Sequence, residues 1–476
     1  MSDKEIEVQR HGIMFLLSSA GITLIGFLAT MFYAHWVGPG VLGIYFVFLS
    51  GLAILSFFSD FGIGSAATQR ISSGIDQNEL FTVSLTIRMI LYGIVCLVIL
   101  VFGQYFTELN NSGLLLVLLI VFGISTFDAC ISIAIGASNR LGLSASVSLL
   151  NNVTRICVQV LAVFAGFQVY GLIGGLVAGL LVEIIIQLKY MDYHIKKFNW
   201  SHVKSIWSFS SWAFLSTFST ILFDNTNPLI IAFFMPISDV GIFGVCWTFS
   251  IFALFVSTAL CNTLFVKVSR WRATGDWDAI TIALSRATSY ALVLAIPMLI
   301  GGAILGESLL YYLYGASFAA GATALVIIIA ARIVQSVLQL YSNFLMATDH
   351  VKDQFFGLLA GIVVNIVLSL LLIPLWGLPG AAIASLANVS ISTILCRHYL
   401  GMIIPIHVDI NTIKDILISA GIMTVVILPI SVLLDRTLLT TMILVCAGAG
   451  VYGIALLQRN GQIREDILNI LKIRWI

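Results

Sequence analysis

The amino-acid sequence predicts an all-α integral membrane protein of 14 transmembrane helices, built as two six-helix lobes related by a parallel internal repeat and followed by two C-terminal helices. Three observations predict it. The 476 residues are 60% hydrophobic and only 9% charged, whereas soluble domains carry about 25% charged residues. Apolar runs of the roughly 20 residues needed to cross hydrocarbon as a helix recur along the whole chain. Finally, the stretch Val169-Tyr-Gly-Leu-Ile-Gly-Gly-Leu-Val-Ala178 is read again as Leu375-Trp-Gly-Leu-Pro-Gly-Ala-Ala-Ile-Ala384.

The predicted spans of the first lobe are 12–36, 41–64, 80–103, 113–137, 144–167 and 171–188. The charged segment Met1 to His11 before them lacks the short apolar region and cleavage site of a removable signal, so the first span is expected to stay as an uncleaved anchor. The second lobe takes 207–233, 240–266, 279–305, 317–346, 355–375 and 378–396, and two further spans follow at 413–434 and 437–457. This gives an N-lobe over 1–190, a linker over 191–206, a C-lobe over 207–400, and the last two helices with a tail over 401–476. The link from Lys189 to Ile206, with four lysines and with Trp200 and the following Trp207, and the tail from Gln462 to Ile476 both read as amphipathic segments lying on a membrane surface.

Orientation follows from the 23 Lys and Arg residues, because short cytoplasmic loops retain positive charge. Sorted into alternate connections, 18 fall on one side with both termini, only Arg436 falls on the other, and four lie within spans. Both ends are therefore expected in the cytoplasm, the chain crossing the membrane an even number of times.

The duplication runs beyond its opening motif. Leu42-Gly43-Ile44-Tyr45 in span 2 matches Val240-Gly241-Ile242-Phe243 in span 8 at an offset of 198, which also carries Arg88 onto Arg286. Spans 5 and 6 match spans 11 and 12 at an offset of 206. Small residues recur every fourth position in both copies, Gly171, Gly175 and Gly179 in one and Gly377, Ala381 and Ser385 in the other, spacing that lets helix backbones approach closely. Parallel repeats of this kind are a standard architecture of secondary transporters, with the substrate site between the halves.

Several kinds of chemistry are absent. No lysine follows a glycine, which excludes a phosphate-binding loop for ATP, and the histidines and the seven cysteines show no ligand spacing. No cofactor, metal or nucleic-acid partner is expected. The outer loops 104–112 and 306–316 offer only Glu108 and Glu307 of the catalytic residue types, which argues against a sugar polymerase or ligase.

What remains is charge inside the membrane, which costs at least about 2.5–3.5 kcal/mol per group and therefore faces a partner or a polar cavity. The cations are Arg88, Arg155, Arg286 and Arg332; the anions are Asp60, Asp128, Glu183 and Asp224. Arg155 and Arg332 lie too deep to reach an interface and are the foremost candidates for an anionic substrate, since a guanidinium presents a planar fork of donors to phosphate oxygens. For Arg155 the alternative is an internal ion pair with Asp128. Arg88 and Arg286 sit nearer the cytoplasm, where they could also snorkel to water. Asp60 is placed to order the end of span 2. Asp224, followed by Asn225-Thr-Asn-Pro228, sits where proline removes a helix hydrogen bond, a site for a proton or cation or simply a kink.

The motifs Gly38-Pro-Gly-Val-Leu-Gly-Ile-Tyr45, Ser59-Asp-Phe-Gly-Ile-Gly64 with Arg70, Asp224 with Val240-Gly-Ile-Phe243, and the repeated Tyr170-Gly-Leu-Ile-Gly174 and Trp376-Gly-Leu-Pro-Gly380 resemble those of prokaryotic polysaccharide exporters. The family so resembled is that of the flippases for O-antigen and related oligosaccharides, in the superfamily that also holds multidrug extruders and the lipid II flippase. The resemblance implies transport without catalysis, in lipopolysaccharide or other surface polysaccharide biosynthesis. The substrate implied is a polyprenyl-diphosphate-linked oligosaccharide, moved to the outer leaflet by alternating access, its diphosphate meeting the cavity arginines. The first span lacks the arginine that the lipid II flippase family uses, which points away from a peptidoglycan substrate. A cation-coupled multidrug or metabolite antiporter of the same fold, its proton or sodium ion carried by Asp60, Asp128 or Asp224, is the alternative.

Overall fold

The computed structural model describes residues 3–102, 113–137, 141–435 and 437–466, and all regular structure among them is helical. The outer loop bearing Glu108, the lone outer Arg436, and tail residues 467–476 with Lys472 and Arg474 lie outside the described residues.

Among the described residues twelve helices are long and apolar enough to cross a membrane. The first, α1 (Asp3–Asp60), is divided at Gly38, whose φ of 72° and ψ of 177° leave the helical region. Only glycine takes that conformation cheaply, and the following Pro39 has no N–H to continue the ladder. The limb 39–60 is continued, after a left-handed Phe61-Gly62 step, by α2 (Ile63–Ile71). Then come α3 (Gln77–Phe102), α4 (Leu114–Ala137), α5 (Leu141–Phe164) and α6 (Gln168–Tyr190). The linker has no regular structure over 192–199, and α7 (Trp200–Phe234) begins inside its predicted end. Proline at 228 does not interrupt α7; Asn225 Nδ2 donates to the carbonyl of Ile221 at 2.9 Å.

The rest of the chain comprises α8 (Ile237–Ser250), a 3₁₀ turn, α9 (Phe255–Thr274), α10 (Trp277–Tyr314), α11 (Ala322–Ala347), α12 (Val351–Trp376), α13 (Leu378–Gly401), α14 (Ile410–Leu433) and α15 (Leu438–Arg459). The expected outer loop 306–316 is largely the last turns of α10, because Leu309, Leu310 and Tyr314 bury their side chains there.

The chain forms two compact units, Met1–Gly241 and Ile242–Ile476. In the first, α7 packs on α1 and α2, with Phe214 stacked on Phe57 and Phe61 at 4.8 and 4.2 Å and Trp207 on Phe61 at 5.5 Å. The matched segments of the two repeats also meet in this unit. A Cβ on Gly43 would strike the carbonyl of Ile237, and one on Gly241 would strike that of Pro39. Backbone therefore lies on backbone at the equivalent position of each copy. The stripe of small residues has the same purpose in α6, where side chains at Gly175 and Gly179 would collide with Arg155, Gln159 and Asn151 of α5. In the second copy Ala381 and Ser385 are fully buried, whereas Gly377 forms the turn between α12 and α13 with φ 61°. The second unit has its main apolar core among α10, α14 and α15, around Leu305, Ile416, Met423, Leu444 and Tyr452. Outward-facing Leu97, Leu161, Ile185 and Val425 leave an apolar exterior suited to lipid.

Candidate functional site

In the first unit polar side chains converge from three helices at helical spacing. Asp128 and Ser132 lie on one face of α4, Asn151, Arg155 and Gln159 on one face of α5, and Glu183 and Gln187 on one face of α6. The small residues of α6 bring these faces together.

Gln159 is the best-satisfied member. Its Oε1 accepts from the Tyr33 hydroxyl at 2.9 Å, and its Nε2 donates to the Tyr45 hydroxyl at 2.9 Å and to the Leu172 carbonyl at 2.7 Å. All three side chains are buried. One turn away, Arg155 is half-buried; its Nη2 donates to Asn152 Oδ1 at 2.9 Å while its Nε finds no partner. Among the described residues no carboxylate stands within ion-pair distance of it, so the expected pair with Asp128 is not formed.

Glu183 instead accepts from Asn151 Nδ2 and from Gln187 Nε2, the latter at 2.9 Å, and Gln187 exchanges hydrogen bonds with Ser132 at 3.0 and 3.1 Å. Asp128 lies within electrostatic reach of Glu183, and its Oδ1 is buried without a partner. Near the middle of α3, Arg88 does not reach water. It is 5% exposed and ion-paired to Asp60, whose Oδ1 also accepts from the Gly64 N–H at 3.0 Å. Asp60 thus both caps the approach to α2 and holds Arg88.

In the second unit Arg332 is 3% exposed and fully engaged, with its guanidinium carbon 3.8 Å from the Trp247 ring centre, Nε donating to Ser250 Oγ at 3.0 Å and Nη1 to Gln335 Oε1 at 2.6 Å. Arg286, the repeat mate of Arg88, is exposed and faces the oxygen of the Gln462 amide. Asp224 is exposed on α7. Between α12 and α13, Asn365 and Asn388 are 1% and 3% exposed, yet both polar atoms of Asn365 and the Asn388 Nδ2 lack hydrogen-bond partners.

Sequence reasoning missed Gln159, Tyr33, Tyr45 and Asn365. One signal was available: Gln159 stands four residues from Arg155 on a helix whose neighbouring face is already polar.

An apolar exterior enclosing buried arginines, carboxylates and amides defines a multi-pass membrane protein of the transporter class. The match to the polysaccharide biosynthesis protein family extends over residues 37–323, and the chain belongs to that family. Among proteins of Haloferax volcanii it is similar to the probable low-salt glycan biosynthesis flippase Agl15, 24% identical over 419 residues, 88% of this chain and 89% of that one. It is also similar to the probable flippase AglR, 27% identical over 465 residues, 94% of this chain and 95% of that one. Its fold is that of the lipid II flippase MurJ in an inward closed conformation, with TM-score 0.75, 17% identity, and coverage of 93% of this chain and 98% of that one. An inward-facing multidrug transporter of the MATE family follows at TM-score 0.64 and 13% identity, covering 80% and 95%.

Proposed function

We propose that this chain is a flippase that moves a polyprenyl-diphosphate-linked oligosaccharide from the cytoplasmic to the outer leaflet by alternating access, without catalysing a covalent step. The observation that carries the reading is Arg155: a half-buried guanidinium inside an apolar helix bundle, flanked by amides and tyrosine hydroxyls, with an unpartnered Nε and, among the described residues, no carboxylate within ion-pair distance. Such a group is stabilised by an anion that arrives from outside the protein, and a diphosphate matches its donor fork. Family membership and the flippase names of both relatives support a lipid-linked glycan as the substrate. Arg332, held by Trp247 and Ser250, takes part by positioning rather than by direct exposure.

The lopsided distribution of basic residues supports 14 crossings with both termini in the cytoplasm. The division of α1 at Gly38 and the apolar stretch Ile221–Phe234 of α7 support two crossings beyond the 12 long apolar helices among the described residues. For coupling, the neighbouring carboxylates Asp128 and Glu183 are the proposed proton or cation carriers, because two such groups at close range favour holding one positive ion between them.

The test is in proteoliposomes: entry of a fluorescent polyprenyl-diphosphate oligosaccharide into the inner leaflet, read as protection from a membrane-impermeant quencher. Wild type is expected to protect and Arg155→Ala to lose at least about nine-tenths of the initial rate, a loss of roughly 1.4 kcal/mol or more. Wild type indistinguishable from empty vesicles under imposed proton and sodium gradients would overturn the reading.

A further inference from the structure

The linker between residues 191 and 199 has no helix or strand to hold it, yet it is pinned to the start of α3 by side chains more than a hundred positions earlier. Asn78 Oδ1 accepts from the His194 N–H at 2.8 Å, Thr82 Oγ1 accepts from the Lys196 N–H at 3.0 Å, and Lys196 pairs with Glu79 at 3.8 Å. The Tyr193 ring stacks on Phe81 at 5.9 Å. A loop satisfied in this way is pre-organised, and what it encloses keeps its shape.

It encloses a cleft of about 270 Å³ lined by Gln77, Asn78, Tyr190, Asp192 and Tyr193. The volume falls below the roughly 300–1,000 Å³ typical of sites for drug-sized ligands, so it suits one ring rather than several. Its chemistry is specific in kind. With Asn78 Oδ1 and Gln77 Nε2 already used, on His194 and on the Ile71 carbonyl, the Asn78 Nδ2 remains as a donor and Gln77 Oε1 as an acceptor. Asp192 adds a carboxylate, and Tyr190, a residue 44% exposed, adds an aromatic side chain. Among the described residues no lysine or arginine lines the cleft. Amides and a carboxylate beside an exposed aromatic face bind the hydroxyls and the apolar ring face of a neutral pyranose. They disfavour phosphate and uronate, which Asp192 repels.

We infer that this cleft is a docking subsite for a neutral sugar residue of the glycan, on the face of the first unit that carries the basic connections and hence on the cytoplasmic side. The inference rests on the flippase reading for its ligand and extends it: the lipid-linked glycan is gripped at two points, its diphosphate within the helices and one sugar at the linker. Two weak contacts joined by one substrate raise overall affinity through effective concentration.

The experiment uses the full-length protein in nanodiscs of neutral lipid and saturation-transfer NMR with glucose, N-acetylglucosamine, glucuronate and inorganic phosphate. Wild type is expected to give signal with the two neutral sugars, neither displaced by phosphate nor matched by glucuronate. Asp192→Ala in the linker and Tyr190→Ala at the last residue of α6 are expected to weaken binding at least about fivefold, with the melting temperature measured alongside as a folding control. Absence of sugar binding by wild type, displacement by phosphate, or unchanged binding in both folded variants would each overturn the inference. The lipid flipping assay on the same preparations separates the two readings. Flipping without sugar binding removes only the subsite; sugar binding without flipping keeps the subsite and removes the flippase.

Discussion

The two copies of the repeat agree where backbone meets backbone and differ where side chains supply polarity. Gly43 and Gly241, equivalent at the offset of 198, make the same close approach from opposite partners. The buried polar clamp is not shared. At the repeat equivalents of Tyr33, Tyr45 and Gln159 stand Ile231, Phe243 and Asn365, all buried, so both hydroxyls are gone and the remaining amide has no partner. Arg88 is buried on Asp60, while Arg286 is exposed beside Gln462. Duplication preserved the steric frame of the helices, and the clamp of Gln159 between Tyr33 and Tyr45 belongs to the first copy.

The largest break in this comparison is expected at the Arg88 pair. Asp60→Ala leaves a buried guanidinium without its counter-charge, and removal of one partner of a buried pair costs about 3–5 kcal/mol. Thermal unfolding in detergent is expected to show it, with Asp60→Leu plus Arg88→Leu recovering most of the loss. The matching substitution Arg286→Leu, at an exposed side chain, is expected to change stability by no more than about 0.5 kcal/mol. Equal effects at both arginines would mean that the copies are energetically equivalent despite their geometry.

A sharper contrast is available at the amides. Gln159→Leu strands the Tyr33 and Tyr45 hydroxyls and the Leu172 carbonyl. Orphaned groups cost about 1–3 kcal/mol in soluble proteins, while interhelical hydrogen bonds in membranes average about 0.6 kcal/mol, so a loss of about 2 kcal/mol is expected. Asn365→Leu removes an amide that has nothing to lose. It is expected to be neutral or stabilising, and a measured loss comparable to that of Gln159→Leu would show that Asn365 has an occupant or partner in the functioning protein.

Much of this was legible in the sequence because it is periodic. Span length, helix type and the doubled Gly-Leu motif follow from hydrophobic runs and fixed spacing, and the stripe of small residues indicated a close helix approach, whose partner α5 only the structure identifies. The partners of the buried charges were not legible. Arg88 and Asp60 lie 28 positions apart, and nothing local indicates that a left-handed step at Phe61-Gly62 turns the Asp60 carboxylate toward α3. The same holds for Gln159, which stands 126 residues from Tyr33 and 114 from Tyr45. Periodicity reveals which face of a helix is polar, and the partner across that face depends on tertiary packing.

The smallest expected effect concerns what the second unit has in place of the Arg88 pair. Asp409 caps α14, accepting from the N–H groups of Asn411 and Thr412 at 3.1 and 3.2 Å and from the Thr412 hydroxyl at 2.7 Å. The Thr412 hydroxyl chiefly, then the two N–H groups and nearby Arg286, hold this carboxyl below its usual range against the opposing effect of partial burial. A carboxyl whose folded value is depressed adds stability above its unfolded value of about 4, and that stability is lost as pH falls through the folded value. Asn at this position keeps a capping oxygen without the charge. Asp409→Asn is therefore expected to be less stable than wild type at pH 7 by less than about 1 kcal/mol, since the group is mostly exposed and screened. The difference should shrink as the pH is lowered below about 4 and vanish once the pH has passed below the depressed folded value. Melting curves of the two proteins between those limits isolate the charge from the cap. A difference that stays constant with pH would mean that Asp409 acts through shape alone, and that Arg286 contributes nothing to it.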